Sequence, residues 1–213
     1  MKKVYLALIA AMFCLSATSA HAIIVSGNVT GGTAGGTFVQ LFPPIGDVGD
    51  DNQQSPNLFG FNEDQNIVIN KNLTADVGSN LVIGDTVASH YIFFDPEFDR
   101  TIVGHVIFDS NILAIMTSKD NLDDSDFLAN VSANYLSPSL RGLEGGQDSA
   151  SINAGDAKRL DVSFRASTPG DYIRVLTERS PGGDKLNAVP EPMTMALFGA
   201  GMAGMGVIRR RRS

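Results

Sequence analysis

Apolar and polar positions alternate without a break in one stretch of this chain. In Arg159, Leu160, Asp161, Val162, Ser163, Phe164 and Arg165 every second residue is apolar, the period of a strand with one buried and one solvated face. Elsewhere the apolar runs are short and bounded by turn residues. Residues 38–42 stop at Pro43-Pro44, 67–69 follow a polar stretch, 81–83 end at Gly84-Asp85, and 112–116 form a further run. The strongest strand candidates are 87–94 and 101–108, separated by Asp95-Pro96. A run at 172–177 follows the Pro169-Gly170-Asp171 turn and reads with 159–165 as a hairpin. Only 124–131 has a helical pattern, with Asp124 or Ser125 as its N-cap. The Gly/Thr-rich stretch 26–37 reads as flexible or as a loose edge, and it lacks the G-x-x-x-x-G-K-S/T pattern of a phosphate loop. Many short strands and one short helix predict an all-β fold, a single β-sandwich of jelly-roll-like type, with no internal repeat.

The two ends follow a different pattern. Lys2 and Lys3 precede an apolar stretch at 4–15, and small residues lead to Ala20-His21-Ala22. That is the layout of a secretory signal peptide, residues 1–22, with Ala20 and Ala22 as the A-x-A cleavage residues. The apolar stretch is shorter than the roughly 20 residues a spanning helix needs. Bulky Met12 and Phe13 before Cys14 argue against a lipid anchor. Cleavage after Ala22 leaves a mature chain from Ile23 without cysteine, which excludes disulfides, thiol catalysis and Cys-based zinc sites.

At the other end, 193–208 is a run of 16 uncharged residues, about 24 Å of helix at 1.5 Å per residue. This is a short transmembrane helix that flanking residues and local thinning can accommodate. Pro190 and Pro192 mark its start. Arg209, Arg210, Arg211 and Arg212 stay cytoplasmic by the positive-inside bias, which leaves the body outside. Val189, Pro190, Glu191 and Pro192, followed by a short apolar helix and a terminal arginine cluster, resemble the PEP-CTERM sorting signal of Gram-negative exported proteins. Such tails also carry the label of an ice-binding protein C-terminal domain, a name that does not itself show ice binding.

The resemblance covers about the last 25 residues. It implies recognition by a membrane exosortase, removal of the tail near Pro-Glu-Pro, and a link to exopolysaccharide and to biofilm or floc formation. By that likeness the chain divides into signal peptide 1–22, exported β-rich domain 23–188 and sorting tail 189–213. Its partners are signal peptidase, an exosortase-like enzyme, the inner membrane transiently through the helix, and extracellular polysaccharide. Its destination is the cell surface or the extracellular space. The strings SHYIFFDP, GLE near Leu143 and PGDYIRVLT are similar to segments of other exported proteins with such tails.

Charge narrows the partners further. The whole chain is −7, but segment 23–188 is −12, from 10 basic and 22 acidic residues. A body this acidic repels nucleic acid and anionic lipid and attracts cations.

The body offers little that commits to a reaction. His90 and His105 both sit in strand runs, with Ser89 and Asp109 nearby, but G-x-S-x-G is absent. Two histidines fall short of the three protein ligands a catalytic zinc requires. Acidic residues gather in three clusters: Asp47, Asp50 and Asp51; Asp95, Glu97 and Asp99; and Asp120, Asp123, Asp124 and Asp126. The last fails as an EF-hand, because no glycine stands at the sharp turn and the twelfth position from Asp124 is Tyr135. The expectation is a non-catalytic domain without cofactor or specific metal site, binding cations weakly and nonspecifically. The enzyme alternative is a secreted carbohydrate-active hydrolase using a carboxylate pair.

Overall fold

A computed structural model describes residues 23–136 and 139–179. The signal peptide with Ala20 and Ala22, the motif Val189 to Pro192, the apolar helix and Arg209 to Arg212 lie outside the described residues. The order along the chain is β1 (Ile24–Gly32), β2 (Phe38–Gln40), β3 (Gly46–Val48), β4 (Leu58–Asn62), β5 (Ile67–Val68), β6 (Val77–Gly78), β7 (Thr86–Phe94), β8 (Arg100–Phe108) and β9 (Ile112–Met116). Then come a helix α1 (Lys119–Asp124), a 3-10 turn at Asp126–Leu128, β10 (Ala133–Tyr135), β11 (Ser149–Asn153), β12 (Asp156–Ala166) and β13 (Asp171–Glu178).

The strands form a four-stranded sheet in the order β1-β8-β12-β11, a seven-stranded sheet built on β2-β4-β7-β13-β9-β6 with β5 also on β7, and a parallel ribbon of β3 and β10. The alternation in β12 works as expected. Leu160, Val162, Phe164 and Ala166 are buried, and the register sets Leu160 opposite Val106 and Phe164 opposite Ile102. That face packs on Leu58, Ile92, Phe94, Ile115, Ile173 and Val175 of the larger sheet, forming one core between two sheets. Each large apolar side chain buried there contributes roughly 1.5–3 kcal/mol. The described residues thus form an all-β, sandwich-like architecture with one short helix.

A third layer lies beyond the two expected ones. The outer face of the larger sheet carries Phe59, Phe61, Tyr91, Phe93, Tyr172 and Leu176, covered by Val48, Ile69, Leu73, Leu81, Leu122 and Leu128. β7 and β13 are therefore buried on both faces along almost their whole length. This explains why Ala88 to Phe94 and Tyr172 to Leu176 lack a clean alternation: a strand covered on both sides reads as a near-continuous run.

Two expectations need correction, and a third, left open between a flexible stretch and an edge, resolves to the edge. β12 and β13 are not a hairpin, because β12 pairs with β8 and β11 while β13 pairs with β7 and β9. The connection crosses between sheets at Gly170, where φ is +97 and a Cβ would lie 2.6 Å from Tyr172 Oη and 2.9 Å from the Phe94 carbonyl oxygen. Stretch 26–37 is largely an ordered edge strand, since β1 pairs along β8 from Ile24–Phe108 to Gly32–Ile102. The helix starts at Lys119 with Ser118 as N-cap, and Ser125 closes it instead of opening it. Ser125 Oγ donates to the carbonyls of Asn121 and Leu122, at 2.8 and 3.0 Å.

Candidate functional site

The histidines do not meet. His90 on β7 is fully buried, with Nδ1 2.8 Å from Asn62 Oδ1 and Nε2 3.1 Å from Thr177 Oγ1. Asn62 Oδ1 also accepts from Ile24 N–H, so Nδ1 carries the ring proton and Nε2 accepts from the Thr177 hydroxyl. Burial holds the His90 pKa down at about 3, which keeps the ring neutral. Adjacent strand residues point to opposite faces, and Ser89 accordingly donates to Glu63 Oε2 at 2.5 Å, away from His90. His105 sits on β8 in the other sheet, opposite Asp161. Ser89, His90 and Asp109 form no relay.

Three of the four acids around α1, Asp123, Asp124 and Asp126, are held by pairing. Asp126 accepts from Arg141 Nη1 and Nη2, both at 2.8 Å, Asp123 accepts from Arg141 Nη1 at 2.9 Å, and Asp124 pairs with Lys71 at 3.3 Å. Burial would raise the Asp126 pKa, but the two guanidiniums, Arg141 and then Arg174, hold it below the usual carboxylate value. Beneath this layer, Arg174 and Glu63 form an ion pair with no exposed side-chain surface, at 2.6 and 2.8 Å. Tyr135 Oη donates to the same carboxylate at 2.6 Å, and Arg174 Nη1 donates to Ser125 Oγ at 2.7 Å. This network ties β13, β4, β10 and α1 together. Its sequence signal is a single arginine inside the apolar run of β13.

A different set of acids gathers where β7 ends and β13 begins. A pocket of about 290 Å³ is lined there by Asp99, Glu144, Asp148, Arg165, Thr168 and Asp171. Arg165 makes a two-point contact with Asp99, at 3.0 and 2.7 Å, and its main-chain N–H donates to Asp148 Oδ1 at 2.7 Å. Asp171 is 2% exposed, and its Oδ2 has no hydrogen-bond partner among the described residues. Burial, and then the charges of Asp148 and Glu144, push the Asp171 pKa up to about 8. Near neutral pH Asp171 is therefore a proton donor beside two other carboxyl groups. The pocket joins two of the three strings singled out above, since Glu144 belongs to GLE and Asp171 to PGDYIRVLT, and β13 pairs with β7, which carries the third. Separation in sequence hid that meeting. Among the described residues no three His, Cys, Asp or Glu side chains converge as a metal-binding group.

Fold and pocket together define a β-rich, sandwich-like domain with an acidic recess at one end of its sheets. The particular assignment comes from outside that domain: residues 188–212 match the PEP-CTERM protein-sorting motif. The motif implies processing by an exosortase-like enzyme and export to the cell envelope or surface. No curated protein and no solved structure matches the chain.

Proposed function

We propose that the chain is an exported cell-surface or extracellular protein whose β domain is a non-catalytic component of an exopolysaccharide or biofilm matrix. The observation that carries this reading is the sorting motif at 188–212. In the proposed route, signal peptidase cleaves after Ala22, and the apolar segment 193–208 holds the chain transiently in the inner membrane with Arg209 to Arg212 inside. An exosortase-like enzyme then cuts near Val189 to Pro192 and releases the domain to the surface. The −12 charge of the body favours a solvated, cation-rich setting and disfavours nucleic acid. Deleting the protein in its native host is expected to weaken the matrix, and the processed protein is expected to bind glycans without cleaving them. A matrix of unchanged mass and cohesion in the deletion strain would contradict the proposal.

The second reading is a secreted carbohydrate-active hydrolase. The acidic pocket favours it, because glycoside hydrolysis pairs a protonated carboxylic acid with a carboxylate, and Asp171, with its pKa near 8, lies beside Asp148 and Glu144. Under that reading glycans are shortened by the wild-type protein and left intact by Asp171→Asn. Binding without turnover rejects it.

A further inference from the structure

The sequence separates Asp47, Asp50 and Asp51 from Asp95, Glu97 and Asp99, but the fold brings part of one group onto the other. The loop at 50–55 lies over the end of β7. Gln53 N–H donates to Asp95 Oδ2 at 2.9 Å, and Ser55 N–H donates to the Asp95 carbonyl at 2.7 Å. These bonds leave one side-chain oxygen of Asp95 over. Asp95 is fully buried and its Oδ1 has no hydrogen-bond partner among the described residues; Asp51 Oδ1 is likewise out of solvent and without one. None of the ion pairs among the described residues includes Asp50, Asp51 or Asp95.

Withdrawing carboxylate oxygens from water beside like charge is costly unless a proton or a cation compensates. Among the described residues no cationic side chain pairs with Asp51 or Asp95, so a bound cation is what can offset the two buried oxygens. All the available donors are oxygens, which selects a hard ion. Calcium accepts irregular mixtures of carboxylates, main-chain carbonyls and waters, whereas magnesium demands near-ideal octahedral geometry.

We propose that Asp51 and Asp95 together hold one calcium ion, which fastens the loop at 50–55 to the end of β7. Two carboxylates leave most of a shell of about six to eight oxygens to main-chain carbonyls and water, which places the affinity on the order of 10⁻⁴ M, the range of extracellular modules. This goes beyond the sorting and matrix reading and does not depend on how the tail is processed.

Calorimetric and thermal-melt titration with CaCl₂ tests it, on protein produced from the full chain and stripped of metal at pH 7.5. The expected result is saturable binding of one Ca²⁺ per chain with a raised melting temperature. Binding should weaken at least about tenfold in Asp51→Asn, whose side chain is outside the core, and in Asp95→Asn. Asp124→Asn, in the exposed acidic stretch ending α1, should bind as the wild type does. Lack of saturable binding up to about 10 mM Ca²⁺ overturns the proposal. So does binding that survives in Asp51→Asn. Equal weakening by Asp51→Asn and Asp124→Asn overturns it too, because that result reports only diffuse attraction to the acidic body.

Discussion

Arg174 lies in the middle of β13 with no exposed surface, and its charge is matched by Glu63 from beyond the end of β4. Removing one partner leaves the other buried and uncompensated, which costs about 3–5 kcal/mol, whereas apolar replacement of both can be far milder. Arg174→Met alone is therefore expected to lose about that much stability in urea unfolding, and Arg174→Met with Glu63→Leu to lose less than the single change. Asp171 makes the opposite kind of contribution. Its folded pKa of about 8 lies above the unfolded value of 3.8, so the folded state holds a proton that the unfolded state has released. Stability from this group is fully present below pH 3.8 and falls as pH rises through about 8. Buried His90, with its pKa near 3, works the other way only below its ordinary value of 6.5. Between pH 6.5 and 8 the Asp171 effect stands apart from that of His90. With chelator present, wild-type stability should decline across that window and Asp171→Asn should flatten the decline; parallel curves would refute the assignment. Nothing in the sequence pattern singled out Arg174 within the run at 172–177. Glu63 could not be named as its partner, because the two are 111 residues apart.

At the scale of elements, period-two patterning found β12 and neighbouring polar breaks found β7, β8, β9 and β13. Their assignment to sheets was not legible. The turn before β13 looks the same in sequence whether the chain folds back into one sheet or crosses to another, and burial on both faces of β13 marks the crossing. β4 escaped notice because its five residues are split by Gly60. The start of α1 was misplaced for a related reason: the carboxylate that holds the chain entering it comes from elsewhere in the sequence. Asp76 Oδ2 accepts from Thr117 N–H at 2.6 Å and Ser118 N–H at 2.8 Å, and Oδ1 accepts from Asn121 at 2.8 Å. No local window around 118–131 contains that carboxylate. Asp76→Ala should cost about 1–3 kcal/mol, the usual loss for hydrogen bonds to a charged acceptor, and should speed amide exchange in α1 before it affects β7. Unchanged exchange in α1 would show that Asp76 is dispensable there.

For the whole molecule, the chain separates an address from a working domain. The sorting motif was legible at once, because its order of prolines, apolar run and arginines is local and linear. The acidic recess was not, because Glu144, Asp148 and Asp171 come together only where the loop before β11 meets the start of β13. If the tail is a sorting signal and not a permanent anchor, Pro190 and Glu191 have a function that the apolar run and arginines lack. Proline disfavours helical backbone in the residue before it, which suits the extended conformation a protease accepts. Pro190→Ala or Glu191→Ala should then trap a longer species in the inner membrane, detected by fractionation and blotting, while a permanent anchor would be indifferent to either change. The most direct measurement is the intact mass of the surface-exposed protein from its native host. The account predicts a chain that begins at Ile23 and lacks residues 193–213 with Arg209 to Arg212; a surface species that still carries those residues would contradict it.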